Sequence, residues 1–169
     1  SLLYLGLASL SYSLALMVWV YYNVALKVTV PYPSLADIFF LLFYPLLGAG
    51  ILITLNSLSL VITKRIILEA IIVGVIAVFA VFLLNPPEIS SNIAFFTRFF
   101  NVAYPLSDVI LISLIYIGNR VSSGKMNLGL IFLNAGLILQ ACGDFVFVYR
   151  STNGIYWNGD ISDLIFTAS

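Results

Sequence analysis

Asp108 stands in the stretch FFNVAYPLSDVI, residues 99–110, inside an apolar run long enough to cross a bilayer. A carboxylate at that depth can hold or release a proton, accept a hydrogen bond from a ligand, or tie helices together. An ionisable side chain within a membrane segment is by default a functional candidate. Asp108 precedes Arg120 by twelve residues, roughly 18 Å along a helix at 1.5 Å per residue, which puts it near the bilayer centre. Arg98, Asn101, Pro105 and Asp108 recur at spacings of three, four and three. That spacing is one helix face, and it is expected to point into a bundle.

Proline adds a second polar element. Pro105 has no N–H, so the carbonyl of Asn101 loses its helical partner. Such a carbonyl is tolerated at membrane depth only where protein or cavity water satisfies it. Sixty residues earlier the chain reads FFLLFYPLLGAG, residues 39–50, and Pro45 frees the carbonyl of Leu41 in the same way. Two readings of Tyr44, Pro45, Tyr104, Pro105 and Asp108 stay open. One is a ligand- or proton-sensing site. The other is a packed kink whose single acid is tied to Tyr104, Tyr44 or a neighbouring hydroxyl.

The remaining acids have narrower readings. Asp144 lies four residues after Gln140 on one face and inside Arg150. It must face protein or a wet cavity, as a structural anchor or as part of a site. Glu69 follows Arg65 by four residues, the spacing of a helical ion pair. SLAD, residues 34–37, and DISD, residues 160–163, match an N-cap with an acid three residues on. Ser34 and Asp160 would accept bonds from free N–H groups, and Asp37 and Asp163 would sit at the positive end of the helix dipole. An outward-facing ligand or ion site is the alternative for these acids.

Much chemistry is excluded by composition. Histidine is absent and there is one cysteine, Cys142, so histidine-ligated metal and haem sites and an internal disulfide drop out. No lysine falls mid-helix, which argues against a retinal Schiff base. No phosphate-binding loop, zinc spacing or nucleophile with a base is present. Neither an enzymatic activity nor a cofactor is therefore expected. Net charge is zero with no basic stripe, which argues against nucleic acid as a partner. Gly48, Gly50, Gly74, Gly129 and Gly136 read as close-packing points between helices.

These residues must be positioned by membrane helices. The 169 residues are 62% hydrophobic and 8% charged, against about 25% charged in a soluble domain. Taking about 20 residues per span, the apolar runs predict helices at 2–26, 35–56, 64–84, within 91–119, and at 126–149. The fourth has room for one long kinked helix or for an interfacial helix followed by a span. A sixth helix starts at 160, and the segment left to it is too short to cross. The expectation is an all-α, polytopic membrane bundle forming a single domain over 1–169, with five complete spans, the start of a sixth, and continuation of the natural protein past Ser169.

Basic residues give the orientation. Lys64, Arg65, Arg120 and Lys125 lie on one side; Lys27 and Arg150, and Arg98 if counted, lie on the other. The first group is expected in the cytoplasm with the N-terminus, at the plasma membrane. VPYPSLAD, NPPEISSN and RSTNGIYWNGD then face out, and Tyr32, Tyr149, Tyr156 and Trp157 fit an interfacial belt. Setting Asp37 against Asp163 and Tyr44 against Tyr104 makes the even-numbered helices look like copies, and so predicts three tandem helical hairpins.

Three elements in fixed order carry a family resemblance: PYPSLADIFFLLFYPLL at 31–47, AYPLSDVILISLI at 103–115, and GDFVFVY with NGDISDLIF between 143 and 166. Trp19 followed by Tyr22 resembles the same family's first-hairpin signature. The chain resembles the polytopic membrane input region found upstream of diguanylate cyclase, phosphodiesterase and sensor histidine kinase modules in bacteria and archaea. The resemblance implies a membrane-embedded sensor or anchor, with catalysis in cytoplasmic output domains, and places Asp37, Tyr44, Pro45, Tyr104, Pro105, Asp108, Asp144 and Asp163 at recurring positions. These 169 residues hold no such output domain and stop where the family would continue into a sixth helix. The leading expectation is a non-enzymatic sensory domain in the lipid bilayer, responding to a small ligand or lipid and speaking to an output domain or membrane partner. A small transporter or channel, and a structural subunit of a larger membrane complex, are the alternatives.

Overall fold

The computed structural model describes residues 2–57, 63–84, 95–121 and 128–168. Every element is helical: α1 Leu2–Val20, a π-helical turn Tyr21–Leu26, α2 Leu35–Ser57, α3 Lys64–Leu84, α4 Phe95–Val121, α5 Leu128–Thr152 and α6 Ile161–Ala168; no strand forms among the described residues. Among the described residues, four segments are long and apolar enough to cross a membrane: Leu2–Leu26, Leu35–Asn56, Phe95–Val121 and Ile131–Ser151. α3, at 21 residues, is not among those four. The NPPE segment, the residues just before α4, and Lys125 lie outside the described residues.

The boundaries have local causes. The first span continues past Val20 by widening into a π turn, then stops where Lys27 takes a left-handed conformation (φ 54°) and its N–H bonds the Tyr22 carbonyl. Pro31 and Pro33 cannot extend it; the Tyr32–Pro33 bond is cis. α2 begins after Ser34, whose Oγ accepts the Ala36 N–H at 3.2 Å, while Asp37 accepts both the Ser34 N–H (2.6 Å) and Oγ–H (3.0 Å). α4 is one continuous helix of 27 residues that carries Pro105 internally.

Contacts divide the chain into two compact units. The first holds α1, the π turn, α2 and the part of α4 up to Ala103. α1 packs on α2 through a stripe of small buried residues, Ala8, Ser11 and Ala15, which lets two backbones approach closely. Ser11 Oγ donates to the Phe39 carbonyl at 2.7 Å, and Tyr12 meets Phe40 and Phe43 with ring centroids 5.4 Å apart. Gly50 sits so near Leu5 that an added Cβ would fall 2.7 Å from Leu5 Cδ2. Tyr32 donates to Asn101 Oδ1 at 2.6 Å, fastening the loop before α2 to the first turns of α4.

The second unit holds α3, α4 from Tyr104 onward, α5 and α6. α3 meets α4 where Gly74 lies beside Ser113 and Val109. α4 and α5 are joined near their ends by Asn134 Nδ2 donating to Asn119 Oδ1 at 2.9 Å. α5 and α6 pack together, with Gly143 under the Phe166 ring and Phe147 against Phe166 and Tyr156. Most large apolar side chains point outward, as in Ile71, Val75, Phe79, Phe95, Ile110 and Phe132, the pattern of helices whose solvent is hydrocarbon.

Candidate functional site

Besides Ser11, Asp37 and Asn134, whose contacts are given above, the buried polar residues fall into three groups. The first lies on α4. Asp108 is 8% exposed, and Phe100, Tyr104 and Leu111 are buried with it. These four positions, spaced four, four and three apart, make one helix face. Arg98 is exposed, while Asn101 and Pro105 are only half-buried. The inward face is therefore rotated from the Arg98–Asn101–Pro105–Asp108 stripe expected from spacing, and Tyr104 replaces Pro105 as the inward neighbour of Asp108. Asp108, Tyr104 and Arg98 all have interaction partners, so none is free.

The matching helix shows the same rotation. In α2, Tyr44, Gly48 and Ile51 are buried while Pro45 is exposed. At Tyr44 and Tyr104, Gly48 and Asp108, and Ile51 and Leu111, the two proline-bearing helices bury equivalent positions. Each proline thus lies beside its buried face, not on it.

The second group is on α5. Asp144 is 7% exposed and accepts Gln140 Nε2 at 3.1 Å, one turn away and also buried. The sequence pairs these two correctly by spacing. Arg150 is committed elsewhere, donating through Nε to Asp160.

The third group is the turn between α5 and α6. Asp160, 3% exposed, receives the Arg150 guanidinium on Oδ2 and the Ile161 N–H on Oδ1, so it caps α6 and closes the turn at once. Asp163 accepts the Gly159 N–H at 2.7 Å and the Tyr156 hydroxyl at 3.1 Å. Gly159 adopts φ 91°, a conformation that costs a Cβ-bearing residue, and it is this turn that aims its N–H at Asp163. Burial, with the Asp163 carboxylate beside it, holds the Tyr156 phenol above the usual tyrosine range. All of these acids are consumed by capping and turn closure.

A fourth cluster, less buried, closes one end of α3 and α4. Glu69 accepts Arg65 Nε at 2.9 Å, the Tyr116 hydroxyl at 3.0 Å and Arg120 Nε at 3.1 Å. The Arg65 pair is visible in sequence, but Tyr116 and Arg120 are not, because they arrive from another helix. Tyr32 and Tyr156 likewise serve as hydrogen-bond donors where sequence suggests only interfacial rings.

No family model, curated protein or solved structure matches this chain.

Proposed function

We propose that the chain is a non-enzymatic membrane sensory domain, in which a small ligand or lipid engages the buried polar face of α4 and biases the kink beside it. In this reading α3, with 21 residues, forms a fifth span, α6 begins a sixth, and the pairs α1–α2, α3–α4 and α5–α6 are tandem hairpins. The N-terminus and the arginine-bearing ends of α3 and α4 face the cytoplasm, and the membrane is the plasma membrane. The observation that carries the reading is Asp108: a carboxylate 8% exposed on a membrane-length helix, three residues after an internal proline. Burying a carboxylate at that depth costs several kcal/mol. Pro105 has already removed one rung of the helix beside it. A stimulus that interacts differently with two settings of that kink shifts their populations.

The test uses the full natural protein in vesicles, in a Cys142→Ser background, with spin labels at Phe96 and Ile110, both exposed on α4 and on opposite sides of Pro105. The label separation should change with lipid composition or with members of a small-ligand panel, and Asp108→Asn should abolish that change. A separation that stays constant under every condition, or shifts equally in the variant, rejects the reading.

A second reading rests on two buried acids, Asp108 and Asp144, on two candidate spans of one unit. Carboxylates facing a wet path are the mark of transport. Ion flux through reconstituted protein that is lost with either Asp→Asn change would favour it over sensing.

A further inference from the structure

The outer surface of α3 and α4 carries an open groove, lined by Ile67, Ile71, Gly74, Val78 and Phe79 from α3 and by Ile117 from α4, and almost wholly apolar. It exists because Gly74 lacks a side chain where it meets Ser113, so the helices come together there without a rim residue filling the seam. From Ile67 to Phe79 is twelve residues, roughly 18 Å along the helix, close to one leaflet of a hydrocarbon core about 30 Å thick. One end of this seam is charged. Arg65 and Arg120 converge on Glu69, each within a turn of a lining residue, Ile67 and Ile117. Two arginines around one carboxylate leave a net positive charge at the groove mouth, and Lys64 beside them is exposed. The Arg65 side chain is 82% exposed and gives only Nε to Glu69, so its terminal nitrogens face outward. A guanidinium presented this way matches the oxygens of a phosphate.

We propose that this groove binds an anionic phospholipid, with one acyl chain along the α3–α4 seam and the headgroup phosphate held by Arg65 and Arg120. The pairing of charge and apolar length argues for that occupant. A second copy of the chain would need an acid to meet the arginines, and on this face Glu69 is already bonded three times. The site requires α3 to lie in the bilayer, as proposed above; it does not require that Asp108 sense anything.

The experiment is native mass spectrometry of the full protein extracted from vesicles of phosphatidylcholine with and without phosphatidylglycerol. The wild-type chain should retain one phosphatidylglycerol in preference to phosphatidylcholine. Arg65→Gln with Arg120→Gln should weaken that retention by roughly thirtyfold, two basic contacts at an anionic surface. Ile71→Trp, which fills the groove and leaves both arginines in place, should lower retention as well, and so separates a seated lipid from headgroup attraction alone. Equal retention of the two lipids, indifference to Ile71→Trp, or a dimer in place of bound lipid each overturns the site. Val75→Cys in a Cys142→Ser background resolves the source of a failure. Reaction with a membrane-impermeant maleimide would put α3 outside the bilayer and reject both the span and the site. Protection without lipid preference rejects the lipid site alone.

Discussion

The turn between α5 and α6 makes a graded prediction about Asp160. This acid is 3% exposed, receives the Arg150 guanidinium, and caps the first N–H of α6. Removing one partner of a buried pair costs about 3–5 kcal/mol when the other is left charged and dry. Arg150 is 28% exposed on its side chain, so it regains part of its hydration, and about 2 kcal/mol is the better figure for losing its acid. The cap adds about 1 kcal/mol. Asp160→Ala loses both, about 3 kcal/mol. Asp160→Asn keeps a good cap and loses the pair, about 2 kcal/mol. Arg150→Met strands the fully buried carboxylate and falls at the costly end, about 3–5 kcal/mol. The double change Arg150→Met with Asp160→Asn strands no charge and should cost less than either charge-stranding single change.

The assay is unfolding by detergent titration in mixed micelles, followed by the fluorescence of Trp157, which stands in this turn over Gly159, in a Trp19→Phe background. The order of loss should be Arg150→Met, then Asp160→Ala, then Asp160→Asn, then the double variant. If Arg150→Met proves milder than Asp160→Asn, the buried carboxylate is not the source of the cost. If the double variant is the worst of the four, the pair acts by charge attraction and not by sparing an orphan.

Three further outcomes follow from geometry. Gly143→Ala should destabilise by about 1–3 kcal/mol, because its Cβ would fall 2.7 Å from the rigid Phe166 ring; Gly50→Ala should cost less, since the atom it meets is the mobile end of Leu5; thermal unfolding of both variants checks the contrast. Glu69→Gln should leave stability nearly unchanged, as an exposed ion-pair cluster contributes little, while raising phosphatidylglycerol retention by freeing two arginines; a fall in retention would refute the groove-mouth role. Tyr156 has a folded-state pKa raised by burial and Asp163, so its contribution is fully present below the usual tyrosine value of about 10 and is lost as pH rises toward the folded value. Wild-type stability should therefore fall in alkaline solution more steeply than that of Tyr156→Phe, measured by the same Trp157 titration.

Helix limits were the most legible feature of this sequence, and for a physical reason. A span must be apolar for about 20 residues and must stop at proline or charge, so 64–84 and 35–56 could be marked from composition with little loss, and the first span reached Leu26 even though its last turn is π-helical. The capping acids were also legible, because Ser34 with Asp37 and Asp160 with the α6 N-terminus are local in sequence. What could not be read was the rotation of α4. Spacing alone places Arg98, Asn101, Pro105 and Asp108 on one face, but equal spacing also joins Asp108 to Tyr104 and Phe100. Which stripe turns inward depends on the surfaces it packs against. The same limit hid Tyr32 with Asn101, Tyr116 with Glu69, and Asn119 with Asn134, each pair brought together only by tertiary packing.

That rotation changes what the repeated Tyr-Pro element means. Both copies bury the tyrosine and the positions four and seven residues after it, and both leave the proline off that face. The proline therefore does not line the interior. It removes a backbone N–H from the helix one position to the side of that face. With the face held in common, Tyr44 matches Tyr104 and Ile51 is matched by another aliphatic residue, Leu111, so the polar difference falls at Gly48 in α2 and Asp108 in α4. Glycine there permits a close helix contact. A buried carboxylate at the equivalent position instead demands polar partners. At this equivalent site one copy of the element thus carries a residue suited to close packing and the other an ionisable group.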